Sequence, residues 1–265
     1  MKSVYIFTAL MARFARCDDP LTAPHLLLYT TSASTPHLTA LCLASEFLRL
    51  PGVPAALTKM MDVIVDVNSG SESSVAQLRA CLEKLPNHAV RVNHREENVG
   101  KKMGAVQALD YEMALNRTRE YEWVVHLHPD NFVVNASHLA AALQNKSAAV
   151  IASEWKRSKC YHHIPMAALM LNFDFFAFRP RRVARDTFKH WQGFSGLPEV
   201  YLAHAFADQL KRQEVMFVTG GGLLAPPCVR HPSPFGMWHE HDHKKVRSYL
   251  EETKAQSSEG KPRRR

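Results

Sequence analysis

Apolar positions follow two alternating rhythms along this chain. Residues 25–34 (HLLLYTTSAS) form a near-continuous apolar run ending in a Ser/Thr loop, the pattern of a strand buried on both faces. Thr35 then caps a helix with Pro36 in its first turn. Leu38, Leu41, Ser45 and Leu48 recur at helical spacing as far as Leu50, where the loop PGVP stops the helix. The sequence repeats this alternation. DVIVDV (residues 62–67) predicts a second strand, and beyond the turn Asn68, Ser69, Gly70, Ser71, the positions Val75, Leu78, Leu82 and Leu85 mark a second amphipathic helix. Residues 88–93 predict a third, short strand. The charged corner HREENVGKK leads from it into a third helix bearing Met103, Val106, Leu109 and Met113.

The fourth strand lies in EWVVHLHPDNFVV (residues 122–134). Trp123, Val124, Val125 and Leu127 run into the polar corner His128, Pro129, Asp130, Asn131, and a second apolar run leaves it. Proline cannot continue a central strand, so His128 and Asp130 are expected at the strand's carboxyl end, where open α/β sheets bind ligands. Strand and helix thus alternate about every thirty residues, the rhythm of βαβ units with right-handed crossovers. The second half is less regular. It predicts a helix from near Ser137, a strand at 148–152, a polar and aromatic loop at 154–163, a strand in NFDFFAFRP (172–180), and a helix opening near Glu199.

The expected fold is therefore α/β, with a mostly parallel Rossmann-like sheet flanked by helices and an irregular C-terminal half. One domain is expected over residues 1–250, with halves at about 25–135 and 136–250, followed by a basic, disordered tail at 251–265. At 46% hydrophobic and 22% charged residues the composition excludes a wholly disordered chain. A net charge of +8 favours anionic company: a nucleotide diphosphate, a nucleic acid or an acidic membrane surface. Lys261, Arg263, Arg264 and Arg265 explain part of that charge without any pocket.

The five cysteines, Cys17, Cys42, Cys81, Cys160 and Cys228, are scattered without a Cys-x-x-Cys pair, so the spacing indicates neither a structural zinc site nor a disulfide framework. A reducing compartment and a cytoplasmic location are the simpler expectation. The alternative is the lumen of the secretory pathway, with the short apolar run at residues 4–12 as a trimmed anchor. Asn116, Asn135 and Asn145 each open an Asn-x-Ser/Thr sequon.

From about residue 25 to 243 these motifs resemble the nucleotide-sugar glycosyltransferases of the GT-A fold, nearest to the family-two type. VIVDVNSGS has the form of that family's second strand, which ends in an acidic residue and a Ser/Gly turn. NVGKKMGA is similar to the family's helix-opening stretch, and HLHPDN stands where the family has its Asp-x-Asp motif. There the chain departs from the pattern, since His128 replaces the first aspartate. NFDFFAFRP looks like the strand before the family's acceptor region, and LPEVYLAHAF carries an acidic residue where the catalytic base is placed.

The resemblance implies a hexosyl- or pentosyltransferase that moves a sugar from a nucleotide-diphosphate donor to a glycan or other hydroxyl acceptor, inverting its configuration. Asp66, Asn68, Asn98 and Gly100 would meet the nucleotide, with Gly104, Lys101 and Lys102 nearby. Asp130 and His128 would take the metal and diphosphate, His239 or His241 would join them from the C-terminal region, and Glu199 would act as base. The cation would be Mn2+ or Mg2+, and imidazole beside carboxylate argues for manganese. No nucleic acid is expected as partner, while the basic tail offers peripheral membrane contact.

Each residue also has a plain structural reading. His128 and Asp130 suit a polar turn, Asp66 a turn start and Glu199 a helix start, while Asp174 and Asp208 are weaker candidates. Trp155, Tyr161, Trp191 and Trp238 could stack on sugar rings or seal the core. In FGMWHEHDHKK, His239, His241 and His243 share a side if the segment is extended, and His239 and His243 share a face in a helix. Two rival functions stay open: a zinc hydrolase using His126, His128, His239, His241 and His243, and a basic module that binds nucleic acid.

Overall fold

The computed structural model describes residues 25–32, 35–50, 61–85, 89–95, 103–134, 137–154, 171–191, 193–218 and 237–258. The first half keeps the predicted alternation: β1 (His25–Ser32), α1 (Thr35–Leu48), β2 (Met61–Asn68), α2 (Glu72–Leu82), β3 (Val90–Arg95), α3 (Gly104–Ala114) and β4 (Trp123–Leu127). Then come β5 (Asn131–Val133), α4 (Ser137–Leu143), β6 (Val150–Glu154), β7 (Leu171–Phe178), α5 (Pro198–Ala205), α6 (Ala207–Lys211), β8 (Val215–Phe217), β9 (Met237–His239) and α7 (His243–Ser258).

The main sheet has the strand order β3-β2-β1-β4-β7-β6-β8, and β5 pairs with β9 in a separate ribbon. β1 is parallel to both β2 and β4, and β2 to β3; β7 runs antiparallel between β4 and β6. The chain thus builds outward from β1 to β3 and then returns to lay β4 on the other side of β1. That reversal opens a crevice at the carboxyl ends of β1 and β4, the place where open α/β sheets bind ligands.

Period-two alternation sends successive side chains into two cores. Val63, Val65, Val67, Trp123, Val125 and Leu127 pack beneath α1, α2, α4 and α7, while Ile64, Val124, Phe176 and Phe178 pack beneath α3 and α5. Asp66 follows the same alternation and shares the α3 face with Ile64.

Several expectations change on this frame. β3 lies two residues later than predicted because its Arg91, Asn93 and Arg95 face polar partners on α3 and β2, so apolar patterning does not mark its ends. The helix opened by Pro198 breaks at Phe206 (φ −104°, ψ 22°), whose ring is buried against Phe176, Phe178 and Phe188. Asp208 therefore lies in the first turn of a separate helix, α6.

α7 also reaches well into the stretch expected to be a disordered tail. Thr253 in its polar end is buried, and Lys254 Nζ lies 2.8 Å from Glu46 Oε2 on α1. The run EETKAQSS is polar almost throughout, so it offers no apolar period to read. Residues 259–265 lie outside the described residues, as do Asn98, Gly100, Lys101, Lys102, Trp155 and Tyr161. Trp238 is on β9, buried with its ring 5.2 Å from that of Tyr249, and so seals the core.

The cysteine spacing, which indicates no disulfide framework, is corrected too. Cys42 on α1 and Cys81 on α2 are bonded across a separation of 39 residues. The packing of two helices on one sheet face made that pair, and no short spacing motif could reveal it. Cys17, Cys160 and Cys228 lie outside the described residues.

Two core histidines set an acid limit. Burial lowers the pKa of His25 to about 4 and, with the nearby His128 charge adding to it, that of His126 to about 3. Unfolded histidines take up a proton below about pH 6.5, so the unfolded state binds more protons as pH falls from there toward 4. Stability contributed above pH 6.5 is therefore lost on acidification, by about 2 kcal/mol per histidine at pH 5. His126→Phe, which keeps the aromatic stack, is expected to flatten the melting temperature between pH 6.5 and 4.5 relative to wild type; parallel profiles would show that His126 does not set it.

Candidate functional site

The polar corner after β4 is stitched to β7 by one carbonyl. His128 N donates to Asp174 O at 2.9 Å, and Asn131 Nδ2 donates to the same oxygen at 2.6 Å. A tight turn from His128 O to Asn131 N, 3.0 Å, closes the corner around Pro129 and Asp130. β7 can supply that carbonyl because it is irregular here: the register against β6 shifts between Ala152 and Glu154, and Asn172 Oδ1 accepts from Asp174 N at 2.7 Å. Bulges of this kind re-aim a side chain, and here the side chain is Asp174.

β5 then carries the corner into its ribbon with β9, where Asn131 stands opposite His239. Glu240 N extends the ribbon by donating to Asp130 O at 3.2 Å. The segment is extended, so His239 and His241 fall on one side and the helical alternative pairing His239 with His243 is not adopted. His239 Nε2 lies 3.4 Å and His241 Nδ1 2.5 Å from Asp130 Oδ2. His128 Nδ1 meets the other oxygen, Oδ1. Asp174 Oδ2 stands 3.4 Å from His239 Nδ1, behind the ring.

Asp130 is 2% exposed and His239 5% exposed, whereas the His241 side chain is 61% exposed, so the cluster opens to solvent past His241. Burial alone would raise the Asp130 pKa. The imidazoles of His128, His239 and His241 around it outweigh burial and hold the carboxyl well below the usual range. Burial would likewise lower His239, but the carboxylates of Asp174 and Asp130 raise it to about 9. Ligand atoms of Asp130, His239 and His241 lie within 4.8 Å of one another, which is a geometry able to hold a metal ion. Neither ring nitrogen of His239 makes a hydrogen bond with a described residue.

A second group lies along the same edge. Asp66 is 1% exposed; Arg95 Nη2 donates to its Oδ1 at 2.7 Å, while Oδ2 is buried without a hydrogen-bond partner among the described residues. Burial pushes the Asp66 carboxyl up, against the Arg95 charge. Asn68, also buried, ends β2 and meets the start of α3, where a Cβ on Gly104 would come within 2.7 Å of Asn68 Nδ2. Asp66 pairs with Thr30 and Leu127 with Tyr29, so the two groups sit level on one edge with β1 between them, about 10 Å apart across two strand spacings.

The structure thus gathers Asp130, His128, His239 and His241 in one cluster and places Asp66 and Asn68 beside it. Glu199 comes from a third element: it is half-buried in the first turn of α5, the helix packed on β7, and is not among the residues whose ligand atoms meet at Asp130. The five-histidine zinc centre does not assemble. His126 stacks on Phe176 at 4.6 Å in the core under α3 and α5, and His243 opens α7.

Two residues gain weight that the sequence did not give them. Asp174 interrupts an apolar strand, a signal that was legible but ambiguous. His37 on α1 packs edge-on against His128 at 5.3 Å between ring centroids; its only sequence signal is a polar side chain just after a helix cap.

No family model and no curated protein matches this sequence. Solved structures do. The mannosyltransferase PcManGT from Pyrobaculum calidifontis, solved with GDP-Man and Mn2+, is 15% identical over 81% of this chain and 61% of its own, with a TM-score of 0.50. The galactosyltransferase LgtC, solved with donor and acceptor sugar analogs, is 12% identical over 87% of this chain and 95% of its own, with a TM-score of 0.51. The chain has the GT-A fold. These likenesses establish the GT-A architecture and do not single out the family-two type. Within that fold the crevice between β1 and β4 is where both clusters lie, and the chain spans about three fifths of the mannosyltransferase.

The close approach at the start of α3 can be tested without any ligand. Gly104→Ala should lower the melting temperature despite alanine's better helix propensity, because the added methyl meets Asn68. Adding Asn68→Ala should recover part of the loss. Additive effects of the two changes would show that the residues are not coupled.

Proposed function

We propose that this chain is a glycosyltransferase, moving a sugar from a nucleoside-diphosphate donor to an acceptor hydroxyl with a divalent cation at Asp130, His239 and His241. One observation carries the reading: a buried carboxylate and two imidazoles converge at the crevice of a GT-A sheet, level with a second buried carboxylate that keeps an orphan oxygen. The donor atoms fit a cation. A carboxylate oxygen with two imidazole nitrogens suits manganese better than magnesium, and the unbonded nitrogens of His239 are costly to bury unless something takes them. When bound, the cation neutralises charge that develops on the departing diphosphate.

The chain's own groups divide the remaining work. Arg95 fixes Asp66 through Oδ1 and leaves Oδ2 to accept a hydrogen bond from the base or ribose of the nucleotide. Asn68 and, from the stretch ahead of α3, Asn98 and Gly100 complete the nucleotide side in this reading. His128 occupies Asp130 Oδ1, which turns Oδ2 to the histidine pair. Asp174 acts as a positioning residue: from behind the ring it holds His239 so that Nε2 faces Asp130.

Glu199 serves as the base. Its place in the first turn of α5 favours the ionised form. It takes the proton of the acceptor hydroxyl while the acceptor oxygen bonds to the anomeric carbon. The bond from that carbon to the diphosphate breaks, and its electron pair leaves with the diphosphate. A single displacement of this kind inverts the sugar.

Melting curves with UDP or GDP, each with Mn2+, test the donor site. At least one should raise the melting temperature, since a ligand at about 100 times its Kd stabilises by about 2.7 kcal/mol. No shift with either nucleotide would remove the proposal's basis. Asp174→Asn should keep the fold and bind Mn2+ about 10 to 100 times more weakly by calorimetry; wild-type affinity would leave Asp174 without a positioning role. Glu199→Gln should keep the nucleotide shift and lose transfer, and normal transfer would reject Glu199 as base.

A further inference from the structure

We propose that Asn116 carries an N-linked glycan and that the chain matures in an oxidising, glycosylating compartment, opposite to the location expected from the cysteine spacing. The first support is the Cys42–Cys81 bond between α1 and α2. Structural disulfides form and persist in secretory and extracellular compartments and are rare in the cytosol. The cysteines therefore speak about location through their contact in space.

The second support is how the structure sorts the three sequons. Asn145 is built into a turn: its Oδ1 accepts from Ser147 N at 3.0 Å, Ser147 Oγ at 2.7 Å and Ala148 N at 3.2 Å, and its Nδ2 lies 3.4 Å from Met216 Sδ. A glycan on that nitrogen would displace a packed side chain. Asn135 lies outside the described residues. Asn116 differs from Asn145 on each count. It is exposed, and it follows the end of α3 in the left-handed region (φ 60°), with its backbone N donating to Met113 O at 3.1 Å. Asparagine is tolerated there for its backbone, so a substituted side-chain nitrogen leaves the turn's hydrogen bond in place.

The surroundings fit as well. Of the four large apolar side chains exposed among the described residues, Tyr111 (51%) lies on the last turn of α3 and Leu115 (39%) directly after the helix, both ahead of Asn116. A bulky polar glycan beside them would shelter apolar surface. α3 runs from the carboxyl edge of the sheet, at Gly104, to the opposite edge, so a glycan at its far end stands about 16 Å along the helix from the nucleotide side. The crevice stays clear.

The chemistry requires two co-reactants of that compartment. The glycosyl group comes from a diphosphate-linked carrier lipid: a bond forms from its anomeric carbon to Asn116 Nδ2, the carbon's bond to the diphosphate breaks with its electron pair, and one Nδ2 proton is lost. The Cys42 and Cys81 thiols give two electrons and two protons to a disulfide-bearing oxidant. Thr118, the third residue of the sequon, is 1% exposed in the fold, so the sugar has to be attached before this turn closes.

The test is a peptide map of the full protein purified from its native cells, taken without reduction and again after peptide-N-glycosidase in heavy-oxygen water. The expected map shows Cys42 and Cys81 peptides linked, position 116 converted to labelled aspartate and position 145 unchanged. An unmodified Asn116 with the disulfide present overturns the glycan site, and free thiols with no glycan overturn the compartment as well. A glycan at Asn145 in place of Asn116 overturns the sorting. In a secretory host, Asn116→Gly keeps the left-handed turn and should remove one glycan's mass from the secreted protein; an unchanged mass rejects the assignment.

Discussion

The antiparallel pairing of β5 with β9 is the contact on which the site depends. It joins residues more than a hundred positions apart, sets His239 opposite Asn131, and continues through Glu240 N to the backbone carbonyl of Asp130. Without that ribbon Asp130 would be a buried carboxylate with His128 alone. With it, Trp238 faces Phe132 and Tyr249 in the core while its neighbour His239 faces Asp130. One strand alternation therefore serves packing and chemistry together.

Buried charge is costly unless paired, and this fold concentrates that cost at one edge. Asp130 is met by imidazoles on both oxygens, His239 lies between carboxylates 3.4 Å away on either side without a hydrogen bond to a described residue, and Asp66 is held by Arg95 on one oxygen. The remaining Asp66 oxygen and the nitrogens of His239 are the groups that a bound nucleotide and cation would satisfy. Elsewhere the same problem is solved within the chain: Glu112, fully buried, takes Arg91 at 2.5 Å and Asn93 at 2.9 Å. Under α3 the buried carboxylate has partners on both oxygens, whereas at the crevice Asp66 Oδ2 and the His239 nitrogens have no hydrogen-bond partner among the described residues.

Irregular backbone appears where this edge needs it. β7 gives up its register to offer Asp174 twice, its carbonyl to the corner after β4 and its carboxylate to His239. The helices that cover the sheet are tied in other ways, α1 to α2 by a disulfide and α1 to α7 by Lys254 and Glu46. α1 also brings His37 edge-on to the His128 ring.

Much of this was readable from apolar period alone. Valines and leucines at spacing two or near three and a half state strand or helix locally, so β1, β2, β4, α1 and α3 fell close to where their residues predicted. Asp66 and Asp130 could be singled out because each ends an apolar run at a polar turn, which places it at a strand's carboxyl edge. Local pattern carries no information about which distant segment will return to that edge. The Cys42–Cys81 bond, the shift of β3, the helical course of α7 through its polar end and the choice of His239 and His241 over His126 and His243 all arise from contacts between segments far apart in the chain. Such contacts depend on sheet order and helix docking, because spacing along a chain limits which residues can share a face but not which faces will meet.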